Sequence, residues 1–114
     1  IITYDELYTE DAQTIVIAYG GTARSAKSAI KQARKDGLKV GMFRPITIWP
    51  FPEKEVKRIA KQVKNIIVVE LNHGQLVLEV ERVVKNESNV FSLGKFNGDI
   101  ITPEEILSKI KEVI

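Results

Sequence analysis

Short, largely apolar runs alternate along the chain with longer segments whose apolar residues recur every three or four positions. A run of this kind is typical of a strand covered on both faces of a sheet. Four such strands are predicted: Thr14–Tyr19, Leu38–Phe43, Ile66–Glu70 and Val90–Leu93. A further segment, Ile2–Tyr8, alternates loosely and carries two acidic residues, as an edge strand can.

The segments between the strands predict helices, because their apolar residues fall on one helical face. The helices run from about Ala23 to Lys35, from Pro52 to about Val63, from Gly74 to about Lys85, and from Pro103 onward. The last helix has the clearest start, since Thr102 can cap it and Glu105 completes a capping box. Its predicted buried stripe contains Ile106, Leu107, Ile110, Val113 and Ile114.

Strands that alternate with helices imply right-handed crossovers between parallel strands. The sequence therefore predicts an α/β fold of three layers (α/β/α), with a mostly parallel sheet between helices. The 114 residues, 44% apolar and 28% charged, suit one globular domain over residues 1–114. Because the chain begins at Ile1 rather than Met, we expect either a processed chain or a piece of a longer one.

Composition excludes several kinds of site and partner. Without cysteine, these residues hold no disulfide, thiolate zinc site or cysteine-ligated iron–sulfur cluster, and a cytoplasmic location is expected. No apolar run approaches the roughly 20 residues that span a bilayer, so no membrane partner is expected. The net charge is +2 with lysine and glutamate interspersed, so no basic stripe and no nucleic-acid partner are expected.

The first turn after a core strand offers a candidate cofactor-binding site. Gly20, Gly21, Thr22 and Arg24 follow the strand and open a helix. Free backbone N–H groups at a helix start favour an anion. The alternative is a tight turn without a ligand, since the pattern is neither Gly-x-Gly-x-x-Gly nor a P-loop.

The connector after the second core strand, residues 44–52, is rich in proline and aromatic residues. Proline lowers the conformational entropy of a loop, and tryptophan and arginine are common anchors of interfaces. Arg44, Pro45, Trp49 and Phe51 are therefore candidate interface residues. Alternatively, Trp49 and Phe51 fold back as a lid on the core.

The third core strand ends in a carboxylate, two amides and the single histidine, residues 70–75. Asn72 and Gln75 are candidate interface residues. His73 is a possible acid–base group, but no partner lies at the spacing of a nucleophile site. The alternative is a hydrogen-bonded scaffold with Asn72 as the helix cap. No catalytic and no metal-binding residue is predicted.

Taken in series, these segments resemble one family. It is the C-terminal, transketolase-C-terminal-like domain (domain II) of the alpha subunit of 2-oxoacid:ferredoxin oxidoreductases, with the greatest likeness to 2-oxoglutarate synthase-like enzymes. The resemblance covers nearly the whole chain. It rests on Ala-Tyr-Gly-Gly-Thr-Ala-Arg-Ser-Ala at 18–26, Arg-Pro-Ile-Thr-Ile-Trp-Pro-Phe-Pro at 44–52, Val-Glu-Leu-Asn-His-Gly-Gln at 69–75 and Ile-Thr-Pro-Glu-Glu-Ile at 101–106.

The resemblance implies a five-stranded sheet of order 1-3-2-4-5 with the first strand antiparallel. It implies an enzyme that oxidatively decarboxylates a 2-oxoacid with coenzyme A to acyl-CoA and reduces ferredoxin. Thiamine diphosphate, Mg²⁺, an iron–sulfur cluster and coenzyme A would serve the whole complex, with none of these cofactors held in this domain. The implied partners are the N-terminal domain of the same alpha subunit, the beta subunit and, for the whole enzyme, ferredoxin. The domain itself would be a non-catalytic assembly domain.

Two alternatives stay open. One is a stand-alone anion- or nucleotide-binding α/β module that uses the Gly20–Arg24 turn, for which a flavodoxin is a minor variant. The other is the equivalent domain of a different thiamine-dependent enzyme, such as a transketolase or a branched-chain dehydrogenase beta subunit. A receiver domain is excluded, because the first core strand ends in Tyr19-Gly20-Gly21 rather than in acidic residues.

Overall fold

A computed structural model describes residues 2–46, 50–71, 74–95 and 99–114. Within these ranges the chain forms a five-stranded sheet of order β1-β3-β2-β4-β5. β1 is antiparallel to β3, and the other neighbouring strands are parallel. The predicted strand order and the antiparallel edge strand are therefore confirmed. The strands are β1 (Tyr4–Leu7), β2 (Thr14–Ala18), β3 (Val40–Pro45), β4 (Asn65–Leu71) and β5 (Asn89–Lys95).

Helices lie on both faces of the sheet, which confirms the three-layer α/β/α prediction. One face packs against α1 and α4, and the other against α2 and α3. β2 is buried along its whole length, with alternate side chains directed to the two helical layers. The helices are α1 (Thr22–Lys35), α2 (Glu53–Gln62), α3 (Gln75–Val84) and α4 (Pro103–Val113).

The two apolar layers differ in the size of their helical residues. The α1 side is built largely from alanine, with Ala26 and Ala33 fully buried against β3 and its neighbours. Small residues let this helix approach the sheet closely, while isoleucines of α4 complete the layer. The opposite layer uses larger aliphatic residues of α2 and α3 around Phe43, which stacks on Tyr4 at 5.2 Å between ring centroids.

The start of α4 is as predicted, and its end is not. Thr102 Oγ1 accepts a hydrogen bond from the Glu105 N–H at 3.2 Å, and Glu105 Oε1 accepts one from the Thr102 N–H at 3.0 Å. Ile114 was expected in the buried stripe, but it is 58% exposed because the helix ends at Val113. Pro52 also lies one position earlier than expected, at the N-cap of α2.

One arginine fastens the amino end of the sheet. Arg34 donates to both carboxylate oxygens of Asp11 at 2.7 and 3.0 Å, to the Tyr8 carbonyl at 2.9 Å and to the Val40 carbonyl at 2.9 Å. Its guanidinium also lies 5.2 Å from the centroid of the Tyr8 ring. The hydrogen bond from Arg34 lowers the pKa of Asp11. We call these contacts of Arg34 with Asp11, Tyr8 and Val40 the Arg34 fork. The fork holds Tyr8 in a left-handed backbone conformation, φ 55°.

Polar side chains also join three strands at the same end. The Asn65 amide donates to Thr14 Oγ1 at 3.4 Å, and the Asn89 amide donates to Asn65 Oδ1 at 3.2 Å. Thr14 pairs with Asn65 and Asn65 with Asn89 in the strand register, so the three side chains form a ladder across β2, β4 and β5. Burial of Thr14 and Asn65 is tolerated because their polar atoms find partners in the ladder.

Candidate functional site

The carboxyl ends of the parallel strands meet at one edge of the sheet, the edge where ligands are commonly bound in open α/β folds. We call this edge the carboxyl rim; its described residues are 2–3, 19–22, 44–46, 70–71, 74–75, 95 and 99–101. β3 and β4 leave β2 in opposite directions, so the point at which the connections change direction lies between β2 and β4. The Gly20–Arg24 turn and the β4–α3 turn flank that point.

The turn after β2 is open and short. Gly20 adopts a left-handed backbone conformation, φ 65°, which glycine reaches without strain. Gly21 is the N-cap of α1, and within the described ranges no side-chain hydrogen bond caps the first turn of that helix. A methyl group placed at either glycine would have no atom within 4 Å. The helix start is therefore accessible from solvent, as the predicted anion site requires.

Thr22 is directed into the protein rather than toward solvent. It is 3% exposed, and its hydroxyl lies 2.8 Å from the Tyr19 carbonyl and 3.3 Å from the Val69 carbonyl. Both contacts use the single hydroxyl proton, and the second links α1 to β4. The Thr22 side chain therefore braces the β2–β4 junction, so any contact with an anion would have to come from its backbone N–H.

Arg24 lines a cleft of about 730 Å³ between the start of α1 and the β1–β3 edge. The cleft also contains Gly20, Gly21, Lys27 and Arg44. The structure thus brings together three of the predicted anion-site residues and one predicted interface residue. Asp5 and Glu6 also line the cleft; the Asp5 carboxylate is 3.6 Å from the Arg44 guanidinium, whereas the Glu6 carboxylate is paired with Arg58.

The connector after β3 divides between core and surface. Arg44 is partly exposed, whereas Pro45 is buried opposite Tyr4 of β1. Phe51 is 7% exposed and belongs to the α2–α3 side of the core, which agrees with the lid alternative for this ring. Trp49, the predicted anchor, lies outside the described residues. A contact role for Phe51 and Trp49 stays a prediction.

The start of α3 is capped by a glutamate that the sequence analysis did not identify as a cap. Glu70, at the end of β4, accepts hydrogen bonds from the Leu76 N–H at 2.8 Å and the Val77 N–H at 2.9 Å. A carboxylate at this position satisfies two free helix donors and complements the helix dipole. The only sequence signal is an acidic residue ending an otherwise apolar strand, just before a predicted helix.

Asn72 and His73, the expected cap and the possible acid–base residue, lie outside the described residues. Gln75 is exposed at the first position of α3. Gly74, the N-cap residue, has φ 69°, a conformation that favours glycine at this turn.

Exposed apolar side chains are concentrated on the carboxyl rim. Of the eight large apolar side chains that are exposed in the described ranges, five are Ile2, Tyr19, Ile46, Leu71 and Ile100. Ile2 belongs to this set because β1 runs antiparallel, and its neighbour Thr3 accepts a hydrogen bond from the Ile46 N–H at 2.9 Å. Ile100 is 75% exposed. Such a grouping at a sheet edge is typical of a surface that meets another protein.

The described residues of the rim present apolar side chains and charged groups. Among the residues that the structure describes, no three His, Asp or Glu side chains lie together where they could hold a metal ion. None of the helices in the described ranges combines the length and apolar character needed to cross a bilayer. What the geometry provides is an apolar edge beside a cleft with positive side chains.

Comparison with protein families gives a match over residues 12–106 to the model described as pyruvate:ferredoxin oxidoreductase core domain II. The 2-oxoglutarate synthase subunit KorA of Methanothermobacter marburgensis is 41% identical over 96% of this chain and 29% of its own length. KorA of Methanothermobacter thermautotrophicus is 46% identical over 92% of this chain and 28% of its own. The ketoisovalerate oxidoreductase subunit VorB of M. marburgensis is 37% identical over 98% and 32%.

Two solved structures share the fold at a TM-score of 0.80, and each match covers 96% of this chain. One is a 2-oxoglutarate:ferredoxin oxidoreductase from Magnetococcus marinus, 24% identical, of which 19% is covered. The other is a split-gene transketolase in an inactive beta4 tetramer, 15% identical, of which 40% is covered. At these identities the likeness concerns the fold. The chain spans less than a third of the length of the curated relatives named above.

Proposed function

Because the chain belongs to the pyruvate:ferredoxin oxidoreductase core domain II family, we propose that it serves as a non-catalytic assembly domain of a 2-oxoacid:ferredoxin oxidoreductase. Residues 1–114 would be one domain of a longer alpha subunit in the cytoplasm. The complete enzyme would oxidatively decarboxylate a 2-oxoacid with coenzyme A, form acyl-CoA and reduce ferredoxin. The curated relatives are subunits of enzymes named for 2-oxoglutarate and ketoisovalerate, which supports this reaction class.

The cofactors of that reaction would be held elsewhere in the complex. An iron–sulfur cluster needs thiolates, and the chain contains no cysteine. Mg²⁺ with thiamine diphosphate needs converging oxygen ligands, and the described ranges contain no such group of carboxylates. The residues present therefore do not fit either group, and no step of the reaction is assigned to this domain.

One observation carries the assembly role: the exposed apolar side chains converge on the carboxyl rim. Tyr19 follows β2, Leu71 ends β4 and Ile100 precedes α4, so only the fold brings these distant residues to one edge. An apolar edge with a polar surround is the usual anatomy of an interface. We assign the rim to the N-terminal domain of the same alpha subunit and, around Arg44 and Gln75, to the beta subunit.

The test is reconstitution from separate parts. The 114-residue chain is mixed with the remainder of the alpha subunit and with the beta subunit, and complex formation is followed by analytical ultracentrifugation. Tyr19→Ser with Leu71→Ser should weaken association by about tenfold or more, as loss of interface anchors does. Leu78→Ser is the matched control, because Leu78 is 63% exposed on α3, away from the rim.

Two results would remove the assembly role. The first is failure of the unchanged chain to associate with either part. The second is an equal effect of the rim pair and of Leu78→Ser, which would show that the rim has no special part in assembly.

A second candidate function is supported by the cleft beside α1. Gly20, Gly21 and Arg24 line it together with Lys27 and Arg44, a donor set suited to a phosphate-bearing ligand. Calorimetric titration with coenzyme A, thiamine diphosphate and flavin mononucleotide tests this function. Arg24→Gln should abolish any heat of binding, while Arg58→Gln, outside the cleft, should leave it unchanged. Flat titrations with all three compounds would eliminate the candidate.

The remaining alternative, the equivalent domain of a transketolase or a branched-chain dehydrogenase, has weaker support. The transketolase neighbour shares the fold at 15% identity, and the sequence relatives above come from ferredoxin-linked enzymes named for 2-oxoacids. The full-length sequence that contains residues 1–114 would show to which of these enzymes the domain belongs.

A further inference from the structure

The outer face of α1 carries a row of positive charges. The helix contains five basic residues and no acidic residue. Four of them lie at spacings of three and four and point away from its buried alanine face: Arg24, Lys27, Lys31 and Lys35. We call this row the basic stripe; at a rise of 1.5 Å per residue it is about 16 Å long. The expectation of evenly mixed charge is therefore wrong for this helix.

No member of the basic stripe forms an ion pair with another described residue. The other four arginines of the chain all do, including Arg34 on the same helix, which pairs with Asp11. Arg24 is thus the exception among the arginines. Acidic residues do lie beside the stripe: Glu104 lines a groove with Lys31 and Lys35, Asp5 and Glu6 line the cleft with Arg24 and Lys27, and Asp36 is paired with Lys111.

This arrangement weakens the isolated helix. Lys27 and Lys31, and again Lys31 and Lys35, are like charges four residues apart, a spacing that destabilises a helix by a few tenths of a kcal/mol per pair. On α2 the lysines are instead accompanied by two acidic residues in the first turn. Because this charge pattern destabilises the helix, we infer that the outer face of α1 serves to contact another molecule.

The charge of the molecule is polarised as a result. Outside α1, the chain carries 12 basic and 15 acidic residues. The body of the protein is thus negative, while one helix is strongly positive. A charge distribution of this kind orients an approaching partner of opposite sign before contact.

We propose that the basic stripe docks an acidic protein, an interaction beyond the assembly role of the rim. The row of four charges spans three helical turns, so it matches a line of carboxylates better than a single phosphate. Its exposed neighbours on α1 itself are Ser28 and Gln32, and this helix carries no aromatic ring on which a nucleic-acid base could stack. That face also presents no large apolar side chain to enter a membrane.

Docking of this kind is reversible and sensitive to salt. The stripe residues are exposed, and pairs between exposed charges are individually weak and strongly screened. Affinity then comes from several pairs formed together, and orientation comes from the spacing of the row. Such contacts suit a partner that arrives and leaves repeatedly rather than one built permanently into the complex.

The experiment measures binding of a fluorescently labelled octaglutamate peptide to the 114-residue chain by anisotropy, at about 20 and about 200 mM NaCl. The stripe variant combines Lys27→Gln, Lys31→Gln and Lys35→Gln. The matched control combines Lys54→Gln, Lys57→Gln and Lys61→Gln on α2, which removes the same charge at similar helical spacing from lysines that are also exposed. Circular dichroism confirms that both variants are folded.

At low salt the stripe variant should bind about tenfold more weakly than the unchanged chain, and the α2 control less than about twofold. Binding by the unchanged chain should fall steeply at the higher salt concentration. Equal weakening in both variants would overturn the proposal, since only net charge would then matter. Absence of binding at low salt would overturn it as well.

Two further probes separate the acidic protein from other polyanions. If a single-stranded oligothymidylate or phosphatidylserine vesicles bind more tightly than octaglutamate, and the stripe variant alone loses that binding, the surface serves nucleic acid or membrane instead. Either result overturns the proposal. The rim variant Tyr19→Ser with Leu71→Ser should leave octaglutamate binding unchanged, so failure of this proposal and failure of the assembly role can be told apart.

Discussion

The two ends of the same sheet are built in opposite ways. At the amino end, the Arg34 fork gathers Asp11 and two backbone carbonyls, and the Thr14–Asn65–Asn89 ladder joins three strands. At the carboxyl rim, the first turn of α1 has no side-chain cap and apolar side chains face solvent. Polar groups that are hydrogen-bonded within the chain need no partner. Exposed apolar side chains, in contrast, are stabilised when a partner protein buries them.

The contrast places stability and function at different ends. Tight polar closure at the amino end fixes the register of the strands, and this fixes where the strands finish at the rim. The rim can then present loops of low internal stability on a rigid base, which is the usual position for binding residues. Each of the following variants tests whether the two ends differ as described.

Gly41→Ala should give the largest effect. A Cβ at Gly41 would lie 2.5 Å from the Tyr8 carbonyl oxygen and 2.7 Å from that of Leu7, so the backbone of β1 would have to move. We expect a loss of about 3 kcal/mol in the free energy of unfolding, measured by urea denaturation. Gly21→Ala, at the rim with no atom within 4 Å, should stay within about 0.5 kcal/mol. Similar losses in both variants would show that the amino end and the carboxyl rim do not differ in how tightly they are packed.

Arg34→Lys should give the next largest loss. Lysine keeps the charge but cannot reproduce the planar fork that reaches Asp11, Tyr8 and Val40 together. Leaving these acceptors without their donor should lower the free energy of unfolding by about 2 kcal/mol. Arg82→Lys is the control, since that guanidinium is half exposed on α3 and should matter less. If thermal melting showed a larger loss of stability for Arg82→Lys than for Arg34→Lys, the Arg34 fork would not be a main source of stability.

Acid should weaken the corner of the rim where Lys95, Thr102 and Glu105 are joined by hydrogen bonds. The Lys95 hydrogen bond, with further bonds from Thr102, lowers the pKa of Glu105 from 4.5 to about 2. Since the folded-state pKa lies below the unfolded one, the ionised carboxylate stabilises the fold above about pH 4.5, and this contribution disappears as the pH falls toward 2.

The measurement is the melting temperature between pH 5 and pH 2 for the unchanged chain and for Glu105→Gln, bracketing the pKa interval from 4.5 to about 2. The variant should melt lower at pH 5, and the difference should shrink across the interval. Because other carboxylates titrate in both proteins, only the difference reports Glu105. Two parallel curves would contradict the role given to this residue.

Leu71→Ser should have the smallest effect on stability, within about 0.5 kcal/mol. The side chain is exposed at the end of β4, so its removal from the isolated chain uncovers little apolar surface. Calorimetric melting of the chain alone provides the measurement. A large loss would show that Leu71 supports the fold itself, and the rim would then resemble the amino end.

Local sequence rules predicted the elements whose signals are contained in a few neighbouring residues. The capping box of Thr102 and Glu105 is present as expected, because both partners lie within one helical turn. Strand β2 and the buried part of β4, Asn65–Val69, were also predictable, since continuous apolar runs have few other stable environments. The strand order came from the family resemblance, and the structure confirms it.

The functional surfaces were predicted less completely. Arg24 and Arg44 line one cleft although 20 positions separate them along the chain, and no sequence prediction joined them. Glu70 as the cap of α3 was missed, because its partners are defined by the turn rather than by a motif. The basic stripe was missed as well, since net charge averages over the chain and conceals a face that is free of acidic residues.

Residue types and neighbours along the chain were enough to establish the alternation of strands and helices, the helix start at Thr102 and the absence of thiolate chemistry. The tertiary structure decided which side chains share a surface. Tyr19, Leu71 and Ile100 became one apolar edge, and Arg34 reached Asp11 across 23 positions, only after the strands had paired. Contacts between distant residues follow from the packing of the whole chain, and no local pattern records them.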